Sequence, residues 1–98
     1  MARPGIIYAP KARADIRKLL AYTHDTWGSK QVPIYAGQLE KALDHLCDYP
    51  ESGHIEIGLR QRQRAYIFGS HKIIYSLRAG DLYIARILHQ NMSVRKHL

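Results

Sequence analysis

Two long stretches of the chain repeat apolar residues at three- and four-residue steps, the pattern of amphipathic helices. The first runs from about Lys11 to Trp27, and its stripe is Ala12, Ile16, Leu19, Leu20, Thr23 and Trp27. The second carries Val32, Tyr35, Ala36, Leu39, Ala42, Leu43 and Leu46. Gly28 is expected to end the first helix, Ser29 to cap the second, and Tyr49-Pro50 to close it. Because only a residue or two separates them, the helices should form an antiparallel hairpin.

Shorter segments are typical of strands. One is Gly5–Ala9, a short apolar run ended by Pro10. Three more, with period-two alternation, follow a loop at residues 51–59. They span residues 62–68, 71–78 and 82–89, with glycine-containing turns between them. On the last, Leu82, Ile84 and Leu88 should share a face with Arg86.

These elements predict an α+β domain of order β-α-α-β-β-β, with the helical hairpin on one face of an antiparallel sheet. The tail from Asn91 to Leu98 is expected to form a short helix capped by Ser93, beyond the last strand and removable without disturbing the core. The predicted core consists of Tyr8, Ile16, Leu20, Leu39, Leu43, Leu46, Ile73 and Leu88.

Length and composition narrow the class of protein. With 98 residues, the chain suits one domain over residues 1–98. It contains no apolar run long enough for a membrane span, and we expect no secretory signal and no membrane partner. Cys47 is the only cysteine, and no Cys/His pair has zinc-ligand spacing. We therefore expect a soluble, cytoplasmic protein without a metal or cofactor.

The net charge of +7 lies in one half of the chain. From Gly58 onward there are eight lysines and arginines and one acid, Asp81, whereas the first 57 residues balance. This asymmetry favours an acidic partner, either a nucleic acid or an acidic protein segment. A charged face that serves only solubility is the alternative.

Three arginines at two-residue spacing, Arg60, Arg62 and Arg64, would point to one side of an extended chain. They would form either an anion-binding row or a charged edge strand. Arg86 lies in an apolar strand and needs a ligand, a carbonyl, or a carboxylate such as Asp15 or Asp44. We expect Arg62, Arg64 and Arg86 to gather on the sheet face away from the helices.

His89 ends the last predicted strand, where it is either a general acid or base or a structural cap. Asp81, the single carboxylate of the basic half, lies in a turn. Paired-carboxylate and Ser-His-Asp mechanisms are therefore poorly supported.

Several segments, in this order and with these gaps, resemble the RelE/ParE toxin superfamily and its ParE branch. They are Tyr8–Ile16, Tyr22–Gly28, Tyr35–Leu43, Tyr49–Gly53, His71–Tyr75, Ala85–Met92 and Arg95–Leu98. The resemblance implies the β-α-α-β-β-β fold and a toxin of a type II toxin–antitoxin pair. ParE-like members act on DNA gyrase without catalytic residues, whereas RelE-like members cut messenger RNA on the ribosome. By position, Arg64, Arg86 and His89 fall where the cleaving branch keeps catalytic residues.

The sequence thus favours a gyrase inhibitor that acts by protein–protein binding and is silenced by an acidic, ParD-like antitoxin in a hetero-oligomer. One alternative is a ribosome-dependent endoribonuclease that uses Arg64, Arg86 and His89. Another is a basic nucleic-acid-binding module. The residues expected to contact partners are Arg60, Arg62, Arg64, Lys72, Tyr75, Arg86, His89, Arg95 and Lys96.

Overall fold

The computed structural model describes residues 3–97, and over that range the predicted order β-α-α-β-β-β is confirmed, with a short helix at the end. The elements are β1 (Ile6–Tyr8), α1 (Pro10–Trp27), α2 (Gln31–Asp48), β2 (Arg64–Phe68), β3 (His71–Arg78), β4 (Asp81–His89) and α3 (Val94–His97). None of these helices combines the length and the apolar character that crossing a bilayer requires.

The four strands form one sheet in the order β1-β4-β3-β2. The strand pairs β2/β3 and β3/β4 are antiparallel hairpins, as predicted. The short β1 pairs with β4 in the parallel sense, so the sheet is mixed. The chain then enters α1 at once, because Pro10 occupies the first turn of the helix, where a missing N–H costs least.

The link between the helices differs from the prediction. Gly28 ends α1 as expected, with a φ of 91° and its N–H donating to the carbonyl of His24. Ser29 does not cap α2. Gln31 donates its N–H to Gly28, and Lys30, itself in helical conformation, precedes the first turn without a side-chain cap. A backbone turn therefore provides the contact that a serine hydroxyl was expected to make.

The main core lies between the helical hairpin and the sheet. Leu39, Leu43, Leu46 and Ile73 are buried in it, and Cys47 joins them. The predicted core residues Tyr8, Ile16 and Leu20 are half-buried at its margin. Trp27, the last member of the α1 stripe, is 70% exposed. The stripe therefore leaves the core at the last turn of α1.

A β-bulge in β4 changes the predicted assignment of faces. Ile74 pairs with Arg86 but the next residue, Tyr75, pairs with Ile84, so Ala85 is the extra residue. Leu82, Ile84 and Ile87 consequently face the helices, while Arg86 and Leu88 face the other way. The prediction that Leu82, Ile84, Leu88 and Arg86 share one face was wrong, because one inserted residue inverts every side chain after it.

The second face of the sheet carries its own small hydrophobic cluster. Ala65, Ile74 and Leu88 pack there against Val94 of α3, and Leu59, Ala85 and Met92 surround them. The 51–63 loop and the C-terminal tail thus cover part of the face that the sequence had reserved for exposed arginines.

Candidate partner-binding site

The arginine row predicted at residues 60–64 does not exist as a row. Arg62 has a φ of 67°, in the left-handed region, and β2 begins only at Arg64. Gln63 closes a tight turn, since its N–H donates to the carbonyl of Arg60 and its Oε1 accepts the N–H of Arg60. Arg60 and Arg62 therefore lie on a turn, and their side chains are not aligned with that of Arg64.

Arg64 and Tyr75 fix the loop that precedes β2. The Arg64 guanidinium donates to the carbonyl of Gly53 at 2.9 Å. The Tyr75 hydroxyl accepts the N–H of Gly53 and donates to the carbonyl of Pro50. Burial raises the pKa of Tyr75, which exposes 1% of its surface. A Cβ at position 53 would lie 2.5 Å from the Tyr75 hydroxyl oxygen, so this close approach requires glycine. Tyr75, expected to contact a partner, makes structural contacts within the chain.

Lys72 is also engaged within the chain. Its Nζ lies 2.7 Å from Glu56 Oε1, and the lysine exposes only 6% of its surface. Burial opposes ionisation of Glu56, but hydrogen bonds from Lys72 and His54 outweigh it and lower the pKa of the carboxyl. This ion pair ties the 51–59 loop to β3.

Arg86 forms the ion pair with Asp15 that the sequence offered as its structural explanation. Its Nε lies 2.7 Å from Oδ2 and its Nη2 3.0 Å from Oδ1, a bidentate contact, and both side chains are largely buried. The same carboxylate accepts the N–H of Ile87, and Arg86 Nη1 donates to the carbonyl of His97. The bond to Asp15 raises the pKa of Arg86. Asp15 thus joins α1 to the edge of β4 beyond β1.

The expected gathering of Arg62, Arg64 and Arg86 on one face was wrong. Arg64 pairs with Tyr75 and Arg86 with Ile74, and neighbouring residues of β3 point to opposite faces. Arg62 lies outside the strands altogether.

His89 lies at an aromatic end of the sheet. It pairs with His71, and the two rings meet edge to face with centroids 5.7 Å apart. The Tyr35 hydroxyl lies 2.5 Å from Nδ1 of His71, whose ring stacks on Phe68. Burial and the neighbouring His89 lower the pKa of His71.

A groove of 560 Å³, here called the α1 groove, runs between α1 and the free edge of β4. Its lining includes Lys18, Tyr22, Trp27, His71, Arg86 and His89. Trp27 and Tyr22 are 70% and 63% exposed beside it. Sequence reasoning missed these two, because helical periodicity assigned Trp27 to the core. Exposed aromatic side chains around a groove are typical of protein-binding anchors.

The C-terminal tail is not a free appendage. Val94 exposes 2% of its surface, and a Cβ at Gly58 would lie 2.7 Å from the backbone nitrogen of Arg95. The expectation that residues after Asn91 could be removed without disturbing the core was therefore wrong. Arg95 and Lys96 remain exposed on the outer side of α3, next to Lys72 and Glu56.

The structure separates the candidate catalytic residues in part. Arg86 and His89 both line the α1 groove, whereas Arg64, the first residue of β2, pairs with Tyr75 and donates to the carbonyl of Gly53. Among residues 3–97, no group of three or more histidine, cysteine or acidic side chains is arranged to hold a metal ion.

Comparison with known proteins decides the family. The model of the ParE toxin of type II toxin–antitoxin systems matches residues 6–94. The chain belongs to the ParE toxin family. Toxin ParE1 of Caulobacter vibrioides is 32% identical over 90% of this chain and 91% of its own length. Toxin ParE1 of Mycobacterium tuberculosis is 30% identical over 94% of this chain and 95% of its own length.

Solved structures share the fold of this ParE-family toxin. A chain of the chromosomal ParDE system from P. aeruginosa superposes with a TM-score of 0.74 at 12% identity, covering 89% of this chain and 96% of that one. A chain of the RelBE2 toxin–antitoxin complex from Mycobacterium tuberculosis superposes with a TM-score of 0.63 at 19% identity, covering 90% and 99%. Two helices on a four-stranded sheet are therefore common to both.

Proposed function

We propose that this ParE-family toxin acts in the cytoplasm as one domain, inhibits DNA gyrase by protein–protein binding, and is neutralised by an acidic ParD-like antitoxin. The observation that carries the proposal is that the two candidate catalytic arginines already bind groups within the chain. Asp15 neutralises the charge of Arg86, and the Arg64 guanidinium donates a hydrogen bond to the carbonyl of Gly53. The charged groups that remain exposed suit binding better than proton transfer, because arginine stays protonated at all physiological pH values.

We assign gyrase binding to the outer side of the tail, where Arg95 and Lys96 are exposed. Purified gyrase should lose supercoiling activity when the toxin is added. Replacing both residues by serine should weaken that inhibition, because two exposed positive charges are lost. The fold should be retained, because the backbone contacts of α3 and the buried Val94 remain. A matched variant with Arg17→Ser and Lys41→Ser removes the same charge from exposed helical positions and should inhibit as the parent does. No inhibition by the parent chain would overturn the gyrase assignment.

We assign antitoxin binding to the α1 groove and the tip of the helical hairpin. The groove offers exposed aromatic anchors, and the excess positive charge favours an acidic segment. Trp27→Ala and Tyr22→Ala should each weaken antitoxin binding, mainly through faster dissociation. Tyr49→Ala is the matched control, since Tyr49 is equally exposed at 63% but does not line the groove.

Charge should set the rate at which toxin and antitoxin associate. Raising the salt concentration should therefore slow association and leave dissociation nearly unchanged, as surface plasmon resonance would show. Association that is insensitive to salt would contradict an electrostatic role for the basic half.

A second candidate function rests on the shared position of two residues. Arg86 and His89 line the same groove, and an arginine and a histidine are side chains that a RelE-like toxin could use to cleave RNA, although Asp15 compensates the charge of Arg86. Primer extension on messenger RNA from cells that express the toxin separates this activity from gyrase inhibition.

A further inference from the structure

A second concave surface lies on the other side of Arg86, at the entry to α1. This cleft of 370 Å³, here called the cationic cleft, is lined by Lys11, Arg60, Gln63, Arg78, Tyr83 and Arg86, among others. The described residues that line it include neither aspartate nor glutamate. Its size falls at the lower end of small-molecule sites, which run from roughly 300 to 1,000 Å³.

Three of its cations are not neutralised by any residue that the structure describes. The side chains of Lys11, Arg60 and Arg78 form no ion pair with any residue between positions 3 and 97. Arg78 instead lies over the ring of Tyr83, with its guanidinium carbon 3.8 Å from the ring centroid. Arg86 differs, because Asp15 compensates its charge. Positive charge therefore accumulates around Tyr83 without a counterion from the described chain.

Gln63 adds a buried donor. It exposes 6% of its surface, and its Oε1 accepts the N–H of Arg60 at 2.9 Å. Its amide nitrogen forms no hydrogen bond with a described residue, yet no fully buried side-chain nitrogen lacks a partner over that range. Gln63 lines two spaces, the cationic cleft and the adjoining surface of its own turn, where an amide nitrogen without a described partner is available to a ligand.

The start of α1 contributes to the same surface. Ala9 caps the helix without a side-chain hydrogen bond, the first turn contains no acid, and Pro10 and Lys11 line the cleft. The positive end of an 18-residue helix thus faces a group of cations rather than a carboxylate. Such an arrangement is stable when an anion joins it.

We propose that the cationic cleft binds a small phosphate monoester. A doubly charged phosphate matches three uncompensated cations better than a single carboxylate does, and its oxygens can accept from Arg60, Arg78, Lys11 and the Gln63 amide together. The remaining volume beside Tyr83 accommodates a group larger than phosphate alone. Free orthophosphate and the phosphate of a nucleoside monophosphate share this chemistry.

The test is titration of the isolated toxin with orthophosphate, with adenosine 5′-monophosphate and with guanosine 5′-monophosphate. Binding is measured by isothermal titration calorimetry and by changes in NMR chemical shift. Saturable binding with shifts at Gln63 and Tyr83 is expected. Tighter binding of a nucleotide than of orthophosphate would identify the ester as the ligand, and equal affinity would identify phosphate itself. The absence of saturable binding of any of the three overturns the proposal.

Two variants make the test specific. Arg60→Ala with Arg78→Ala should weaken binding by about 10- to 100-fold, as expected for the loss of charged hydrogen bonds. Gln63→Glu retains the oxygen that accepts from Arg60 but replaces the amide donor by a charge, and it should also weaken binding. The control is Arg17→Ala with Lys41→Ala, which removes equal charge at exposed helical positions outside the cleft.

Equal weakening in the control and in the Arg60/Arg78 variant would show general charge attraction and overturn the site. Binding of single-stranded RNA without a terminal phosphate, lost in the same variants, would replace the proposal with nucleic-acid binding. Melting temperatures of the variants, measured alongside, identify any loss that arises from unfolding.

Discussion

Two residues other than glycine, among those described, hold their backbone in the left-handed region: Arg62 at a φ of 67° and Ala79 at 51°. Left-handed backbone costs an L-residue roughly 1–2 kcal/mol because its Cβ approaches a carbonyl oxygen. Ala79 precedes Gly80, whose φ is 83°, and together they close the β3–β4 hairpin. Two successive positive φ values are typical of a type I′ turn, which favours Asn-Gly.

Ala79→Asn should therefore stabilise the protein. Ala79 is exposed, so no packing is lost, and asparagine adopts the left-handed region more readily than alanine. We expect the free energy of unfolding to rise by roughly 0.5–1 kcal/mol and the Tm by about 2–8 °C. Thermal unfolding followed by circular dichroism measures the change. Ala79→Val, which is β-branched, should lower the Tm, and a lower Tm for the asparagine variant would contradict the turn assignment.

His71 makes the fold sensitive to pH. Its pKa is lowered in the folded state by burial and by His89, so the unfolded chain binds the proton more readily. Stability should be unaffected well above the unfolded pKa of about 6.5 and should fall as the pH drops from there through the folded pKa.

His71→Gln should make that fall shallower, because the group that the folded state keeps neutral is gone. Chemical denaturation of both proteins at neutral pH and at about pH 5.5 measures how much free energy of unfolding each protein loses between the two pH values. If the difference in stability between the two proteins is the same at both pH values, His71 does not contribute to acid sensitivity.

At the level of elements, helices and strands follow from the sequence because their apolar periods are regular over several turns or residues. What escaped prediction are single-residue events. Ala85 is one extra residue in β4, and nothing in an alternating pattern marks it. Residues 60–64 alternate arginine and glutamine as a strand would, yet the Gln63 side chain closes a turn there. Contacts of this kind depend on tertiary neighbours and leave no periodic signal.

In the candidate site, too, some contacts could be predicted from the sequence and others could not. The pairing of Arg86 with Asp15 could be foreseen, since an arginine among apolar residues requires a carboxylate. The burial of Lys72 and Tyr75 could not, because their partners Glu56, Gly53 and Pro50 belong to a loop without a regular pattern.

The tail helix α3 acts as a structural element of the second hydrophobic cluster. Val94→Ala should cost roughly 1–3 kcal/mol of unfolding free energy, because a buried side chain is shortened against Ile74 and Leu88. Lys96→Ala, at an exposed position of the same helix, should change it by less than about 0.5 kcal/mol. Urea unfolding measures both. If Val94→Ala unfolds with the same free energy as Lys96→Ala, α3 does not pack on the sheet in solution.

For the whole molecule, the distribution of charge and of internal contacts separates binding from catalysis. A chain cut after Asn91 would lose Val94, so reduced toxicity of such a truncation would not distinguish a lost contact from a lost fold. Point substitutions that leave the core intact are therefore the informative changes. His89 is the most useful of these, because it is exposed, lines the α1 groove and is the only histidine among the candidate catalytic residues.

His89→Ala distinguishes the two toxin activities. In an RNA-cleaving enzyme, an imidazole acting as general acid or base contributes roughly 10²–10⁴ in rate, so its removal should abolish cuts in messenger RNA. In a gyrase inhibitor, the same change removes one edge-to-face contact with His71 and the hydrogen bond that His89 Nδ1 accepts from the N–H of Asn91, both at an exposed position. We expect inhibition of supercoiling to persist in this variant, and primer extension on messenger RNA from expressing cells to show no discrete cuts with either protein. Cuts that appear with the parent chain and vanish with His89→Ala would replace gyrase inhibition with ribosome-dependent RNA cleavage, and would assign the proton transfer to the His89 imidazole.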